Sequence, residues 1–319
     1  MEFSLSIHGL QSFIILFLAL LIDIIFGEPP EKLHPTVWIG KTIKFLENRL
    51  KHKNPLIEKI YGAFLAIFVV SIFSITSHFL LKFLVYLSPI AYIVISAMLL
   101  KTTFAIKSMK LHSIPIANEL SLKNLTNAKK LLKKIVRRNV NELNEELVVS
   151  ATVESIAEGT VDGITSSLFY FAIFGVSGSI AYRAINTLDS MVGYKDIKHL
   201  NIGWFSAKLD TIANYIPARI TALLMILAAW FIKEDWKKAL LILKRDRNKT
   251  ESLNAGWPMS AMAGILNVKL EKLGHYKLGN SNSTLNWECI NKALKIMGIT
   301  IILFLFFIVI PIMILFSLH

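Results

Sequence analysis

Cysteine, charge and the signatures of soluble catalysis are all scarce in this chain. A single cysteine, Cys289, cannot form an internal disulfide, and no CxxC or Cys/His spacing is present, so a disulfide-stapled fold and structural zinc are both disfavoured. Charged residues make up only 18% of the 319 residues, whereas 54% are hydrophobic and the mean hydropathy is +0.55. That is more apolar surface than one soluble core of this length hides, and a bilayer has to take the excess. Walker loop, GxGxxG, GxSxG and HExxH patterns are missing, so the common nucleotide and hydrolase signatures do not apply. No internal repeat of solenoid or propeller period is present.

The formal net charge is +13. Nucleic acid is one partner for such a chain, but the bases lie in loops between apolar segments, where the positive-inside rule and anionic headgroups account for them. We therefore expect a lipid bilayer as partner and no nucleic acid. The fold class predicted is all-α, a polytopic integral membrane helical protein with amphipathic and loop elements at the cytoplasmic face, in the cell membrane and multi-pass.

A spanning helix needs about 20 mostly apolar residues. Spans are predicted near 13–26, 61–83, 90–106 and 296–318, all within one membrane-embedded domain, 1–319. The first window lacks a basic leader and a small-residue cleavage site and carries Asp23, so it reads as a retained helix. Gly27-Glu28-Pro29-Pro30 ends it, because proline has no amide donor and clashes with the preceding turn. Windows 164–181 and 216–232 are interrupted by Gly175, Gly178 and Arg219, so each either crosses, dips in and returns, or lines a polar cavity. Polar loops are expected at 28–60, 107–163, 183–214 and 233–295. Within the second of these, Lys129, Lys130, Lys133, Lys134, Arg137 and Arg138 alternate with Leu131, Leu132, Ile135 and Val136, the pattern of a basic amphipathic helix. Lys32, Lys41, Lys44, Arg49, Lys51, Lys53 and Lys59 place the loop after the first helix in the cytoplasm. If both interrupted windows cross, the 183–214 segment lies on the opposite side from its neighbours.

Four stretches carry candidate chemistry. Glu154 and Glu158 share one helical face, and Asp162 extends the row if the helix survives Gly159. Such repelling carboxylates suit Mg²⁺ held with substrate phosphates, or else form a solvated acidic helix end. Arg183, Asn186 and Ser190 follow helical spacing and make a phosphate clamp, with Asp189 and Lys195 beside them; ordinary interfacial anchors are the alternative. Asp210 and Asn214 share a face, and Arg219 follows Pro217 at the start of an apolar window, where a charge needs a partner or a cavity. Asn254-Ala255-Gly256-Trp257-Pro258 is a tight turn with an aromatic plate, preceded by Lys244-Arg245-Asp246-Arg247. It suits stacking on a flat ligand, or an interfacial Trp. His34-Pro35 in the first loop is a further polar candidate, and Asp23 is an acid within an apolar helix.

These residues, in this order, resemble one family, the adenosylcobinamide-phosphate synthases, cobalamin biosynthesis proteins of the CbiB/CobD type. The resemblance rests on Asp23 to Pro30, His34 to Gly40, Glu154 to Gly163, Tyr182 to Lys195, Asn214 to Arg219 and Asn254 to Pro258. The chain departs from the family pattern at Lys208 and Thr211 around Asp210, at Thr250 where a His is customary, at Leu253, and at Met259-Ser260, where the usual Glu is missing. The resemblance implies an amide-forming ligase that joins the f-side-chain carboxylate of adenosylcobyric acid to aminopropanol or aminopropanol phosphate. An acyl phosphate made from ATP with Mg²⁺ would activate the carboxylate. It implies Glu154, Glu158, Asp162 and Asp189 as metal-holding or catalytic groups together with Lys195. Arg183 and Arg219 would act on phosphate, Asn186, Ser190, Asp210, Asn214, Asn254 and His34 would bind substrate, and Trp257 would lie on the corrinoid. Two rivals from other classes stay open, a corrinoid transporter and a membrane scaffold for late cobalamin enzymes. Either a homo-oligomer or contact with those other enzymes is compatible with the chain.

Overall fold

The computed structural model describes residues 2–194 and 196–317. It is helical almost throughout. In chain order the elements are α1 (Glu2–Phe26), α2 (Pro35–Leu50), α3 (Pro55–Leu87), α4 (Pro89–Lys101), α5 (Ile106–Ser121) and α6 (Leu125–Leu132). Next come α7 (Glu145–Thr160), α8 (Ser166–Val192), α9 (Trp204–Ala213), α10 (Tyr215–Phe231), α11 (Trp236–Asp246) and α12 (Gly256–Leu266). A short antiparallel hairpin, β1 (Lys269–Lys272) and β2 (Tyr276–Gly279), precedes α13 (Trp287–Phe304) and α14 (Ile310–Ser317). Among the described residues five helical stretches are long and apolar enough to cross a membrane, or six if α9 and α10, interrupted at Asn214, count as one. The chain is an all-α polytopic membrane protein.

Helix starts follow local chemistry. Pro35, Pro55 and Pro89 each occupy a first helical position, where a missing amide hydrogen costs nothing. The residue before each caps the helix: His34, Asn54 and Ser88 accept hydrogen bonds from Thr36, Leu56 and Ala91 amides. Gly27, at φ +74, closes α1 by donating its amide to the Ile22 and Asp23 carbonyls. The basic pattern expected to stay helical to Arg138 leaves the helix after Leu132, and Arg138 turns to meet Glu154.

The chain divides into two compact units. Unit 1 comprises Met1–Ala105, Ser166–Asn214 and Ile308–His319. Its core joins α2, α3 and α8 through Ile39, Ile43, Leu65, Ala66, Val69, Ala184, Leu188 and Val192. Phe17, Ile24, Phe64, Phe79, Tyr86 and Leu87 stay exposed on α1 and α3, as expected of a surface solvated by lipid rather than water. Unit 2 comprises Ile106–Thr165 and Tyr215–Phe307. There α10, α12 and α13 pack together, and the hairpin lies on α7.

The window 164–181 turns back on itself. In one straight helix, residues twelve apart lie about 18 Å from each other. Here Ser179 Oγ donates to the Ser167 carbonyl at 3.0 Å, and the Tyr170 and Tyr182 rings stack with centroids 5.3 Å apart. The break is Gly175, at φ +67 and ψ −163, a conformation open essentially only to glycine. The Thr103 and Ser179 hydroxyls meet at 2.7 Å, and Ser167 Oγ donates to the Thr103 carbonyl at 2.6 Å, so the turn that follows α4 is laced to both arms of the reversal.

Candidate functional site

The reversal in α8 brings Ser166 and Tyr182 to one place, and both donate to Asn214. Ser166 Oγ lies 2.6 Å and Tyr182 Oη 2.8 Å from Asn214 Oδ1. Two donors into that oxygen fix the amide orientation, so Nδ2 is left for Asp210, whose Oδ1 it reaches at 3.0 Å. Asp210 also accepts from the Asn186 side chain, whose Oδ1 in turn accepts Arg183 Nη1 at 3.1 Å. Asn214 and Ser166 are fully buried; Arg183, Asn186 and Asp210 are half-buried. An acid and a guanidinium are thus held by two asparagines in a low-dielectric surrounding. An apolar cavity of about 420 Å³ runs alongside, lined by Tyr170, Phe174, Tyr182 and His78 among others. Of the residues singled out in the sequence, Arg183, Asn186, Asp210 and Asn214 are therefore neighbours. Ser166 and Tyr170 carried no signal in the sequence, since a serine and a tyrosine in an apolar window look like ordinary packing.

The other unit 1 candidates that the structure describes have contacts of their own. Ser190 is exposed and returns its hydroxyl to the Asn186 carbonyl. Asp189 packs against the backbone of Gly193, where an added Cβ would lie 2.1 Å from its Oδ1. Lys195 lies outside the described residues. His34 caps α2 through Nδ1 and places Nε2 2.9 Å from Glu28 Oε2.

Unit 2 holds two further groups. Arg219 lies over Tyr215 at 3.4 Å and over Trp257 at 4.8 Å, and its Nη1 donates to Asn254 Oδ1 at 3.1 Å. Arg247 covers Trp257 as well, at 4.7 Å. Two guanidiniums on one indole, with a neutral amide as partner, make an anion-attracting surface. In the sequence Arg247 is only one base in a charged run.

The second group surrounds Glu154. Its Oε2 accepts from Arg138 Nη2 and Tyr276 Oη, each at 2.8 Å, and its Oε1 from Ser150 Oγ at 2.7 Å. Burial, and then the neighbouring Glu154 and Glu158 charges, push the Tyr276 phenol well above its ordinary range. The row continues through a π-helical turn, Val161–Thr165, which carries Asp162. Burial changes along it: Glu154 is buried, Glu158 exposed and Asp162 half-buried. Both Glu154 oxygens are thus taken by protein donors, and among the described residues no group of three or more His, Cys, Asp or Glu side chains is arranged to hold a metal ion. The three carboxylates do not fit a magnesium cage in this arrangement.

A family model described as CobD/Cbib protein matches residues 16–316. The cobalamin biosynthesis protein CobD of Dehalococcoides mccartyi (strain CBDB1) is 38% identical over 271 residues, covering 85% of this chain and 88% of that protein. The probable cobalamin biosynthesis protein CobD of Methanocaldococcus jannaschii is 40% identical over 296 residues, 92% of this chain and 95% of its own. A CobD protein of Leptospira interrogans is 37% identical over 302 residues. No solved structure matches the chain.

Proposed function

Because the chain belongs to the CobD/CbiB protein family and so to cobalamin biosynthesis, we propose that it joins adenosylcobyric acid, through its f-side-chain carboxylate, to aminopropanol or aminopropanol phosphate. The product is adenosylcobinamide or its phosphate. One observation supports placing the reaction in unit 1: polar residues from two separate stretches, Arg183 with Asn186 and Asp210 with Asn214, converge on one partly buried network beside an apolar cavity. A half-buried acid and a guanidinium held at fixed orientation are what amide formation asks of a protein.

Amide formation from a free carboxylate is uphill in water, and a nucleoside triphosphate, expected to be ATP, supplies the activation. The chain's own groups then have separate tasks. Arg183 neutralises anionic charge on the activated carboxyl or on the amino-alcohol phosphate. Asp210 takes the proton shed by the amine as its nitrogen bonds to the carbonyl carbon and the activating group leaves. Asn186 and Asn214 keep the Asp210 oxygens aimed, and Ser166 and Tyr182 prevent Asn214 from flipping. The neighbouring apolar cavity supplies water-free surface against which an apolar part of the substrate can lie.

Purified protein incubated with adenosylcobyric acid, aminopropanol phosphate and Mg-ATP should yield the amide by mass. Asp210→Asn, which keeps the side-chain size but sets an NH2 against an asparagine donor, should lower the rate per folded molecule by about a hundredfold or more and lower the thermal midpoint somewhat. Near-normal turnover in that variant would remove Asp210 from the chemistry. Corrinoid binding without ATP consumption or amide would favour a carrier instead.

A further inference from the structure

In unit 2, Arg219 and Arg247 stand 4.8 Å and 4.7 Å from the centroid of the same indole, Trp257, so two half-buried positive charges repel each other around one ring. Neither guanidinium is paired with a carboxylate among the described residues. The acid next to Arg247 in sequence, Asp246, is fully buried and already bound by Arg245, Lys249 and the Gly279 amide. Arg219 directs Nη1 to two neutral oxygens, the Tyr215 carbonyl at 2.6 Å and Asn254 Oδ1 at 3.1 Å. The Arg247 guanidinium donates no hydrogen bond among the described residues. Charges withdrawn from water in this way call for a counterion, so an anion belongs beside Trp257.

The other half of this surface is apolar. Ile216, Leu223 and Trp230 recur every seven residues along α10, so they line one face of it, and all three are more than half exposed. Arg219 adjoins that face, three residues after Ile216 and four before Leu223. At 1.5 Å per residue the strip from Arg219 to Trp230 is about 16 Å long, close to half of a bilayer core about 30 Å thick. At its charged end lie Tyr215, half exposed under the Arg219 guanidinium at 3.4 Å, and Trp257, rings of the kind that settle at headgroup level.

An anion site continuous with an apolar strip one leaflet deep fits a molecule that carries negative charge at the end of a long aliphatic chain. A soluble phosphate satisfies the guanidiniums but leaves the strip bare. We propose that this face of unit 2 binds one anionic phospholipid, its phosphate shared by Arg219 and Arg247 beside Trp257 and one acyl chain laid along Leu223 and Trp230. Arg219 and Trp257 then serve the lipid rather than a substrate. The proposal stands on this geometry whether or not the amide-forming reading holds.

The test is native mass spectrometry of the full chain, released from detergent micelles titrated with phosphatidylglycerol or, for comparison, with zwitterionic phosphatidylcholine of the same acyl chains. Phosphatidylglycerol should fill one saturable site, about tenfold or more tighter than phosphatidylcholine. Arg247→Gln should weaken it by about tenfold or more, the loss expected for a charge-assisted hydrogen bond. Leu223→Gln keeps both guanidiniums and interrupts the strip, so it should also weaken the lipid; the position is exposed, which spares the fold. Lys130→Gln, at an exposed base on α6, should change nothing and controls for diffuse charge attraction. Unchanged affinity in Arg247→Gln, equal loss in Lys130→Gln, or equal binding of the two lipids would overturn the proposal. Wild-type affinity in Leu223→Gln, or displacement of the lipid by equimolar inorganic phosphate, would identify a soluble phosphate site instead and overturn it equally.

Discussion

Substituting Gly175 by alanine isolates the backbone reversal on which the unit 1 site depends. An added Cβ at Gly175 would meet nothing within 4 Å, so crowding plays no part. What remains is conformation: φ +67 with ψ −163 is strained for any residue bearing a Cβ, at about 1–3 kcal/mol. Gly298, in the middle of α13, is the matched control. Its Cβ would also meet nothing within 4 Å, and its backbone is ordinary helix. There the same substitution should stabilise by about 1 kcal/mol, the helix-propensity difference between the two residues. Identical chemical changes thus have opposite predicted signs, some 2–4 kcal/mol apart. Reversible denaturation in mixed detergent micelles measures both. If 164–181 were a straight span, Gly175→Ala would behave like Gly298→Ala; equal stabilisation by both would refute the reversal. A disulfide between cysteines placed at Ser167 and Ser179 in a Cys289→Ser background gives an independent check. In a straight helix those positions lie about 18 Å apart, out of disulfide reach.

Two further outcomes follow from the polar networks of unit 2. Glu154→Gln leaves Arg138 without its carboxylate and should cost about 2–4 kcal/mol, with the Tyr276 phenol titrating at lower pH than in wild type by ultraviolet difference absorbance; an unmoved titration would contradict the coupling. Burial opposes ionisation of Asp246, but Arg245, Lys249 and the Gly279 amide bring its pKa from 3.8 down to about 2. A depressed folded-state value contributes stability above the unfolded value that is lost as pH falls, so the thermal midpoint should drop between roughly pH 4 and pH 2. Asp246→Asn should flatten that part of the profile, and an unchanged slope would exclude the linkage.

Much of the local architecture was readable in the sequence. Proline at positions 35, 55 and 89 marks helix starts because its missing donor is harmless only there, and Gly27 before two prolines marks a stop. The chemistry was legible in part. Arg183, Asn186, Asp210 and Asn214 stood out as polar residues beside apolar windows, where burial demands partners. Arg138 read as one more base on an amphipathic face, because its partner Glu154 is sixteen residues away and their meeting requires the chain to leave the helix. Tyr276 was equally silent, since a tyrosine in a polar loop gives no hint of a buried carboxylate 122 residues earlier in the chain.

By itself the sequence determined the class of molecule. Excess apolar surface calls for a membrane, and continuous apolar runs of about 20 residues, such as 61–83 and 296–318, select helices over the alternating pattern of a closed barrel as the way to satisfy every backbone amide in lipid. Hydropathy is a sum over neighbours along the chain, so it reads spans well, but it has no term for direction. Whether 164–181 runs straight or folds back turns on the backbone angles of one residue, Gly175, and on hydrogen bonds between residues twelve apart. The tertiary structure decided that the chain reverses there, and with it the placement of Ser166, Tyr182, Asp210 and Asn214 in one network.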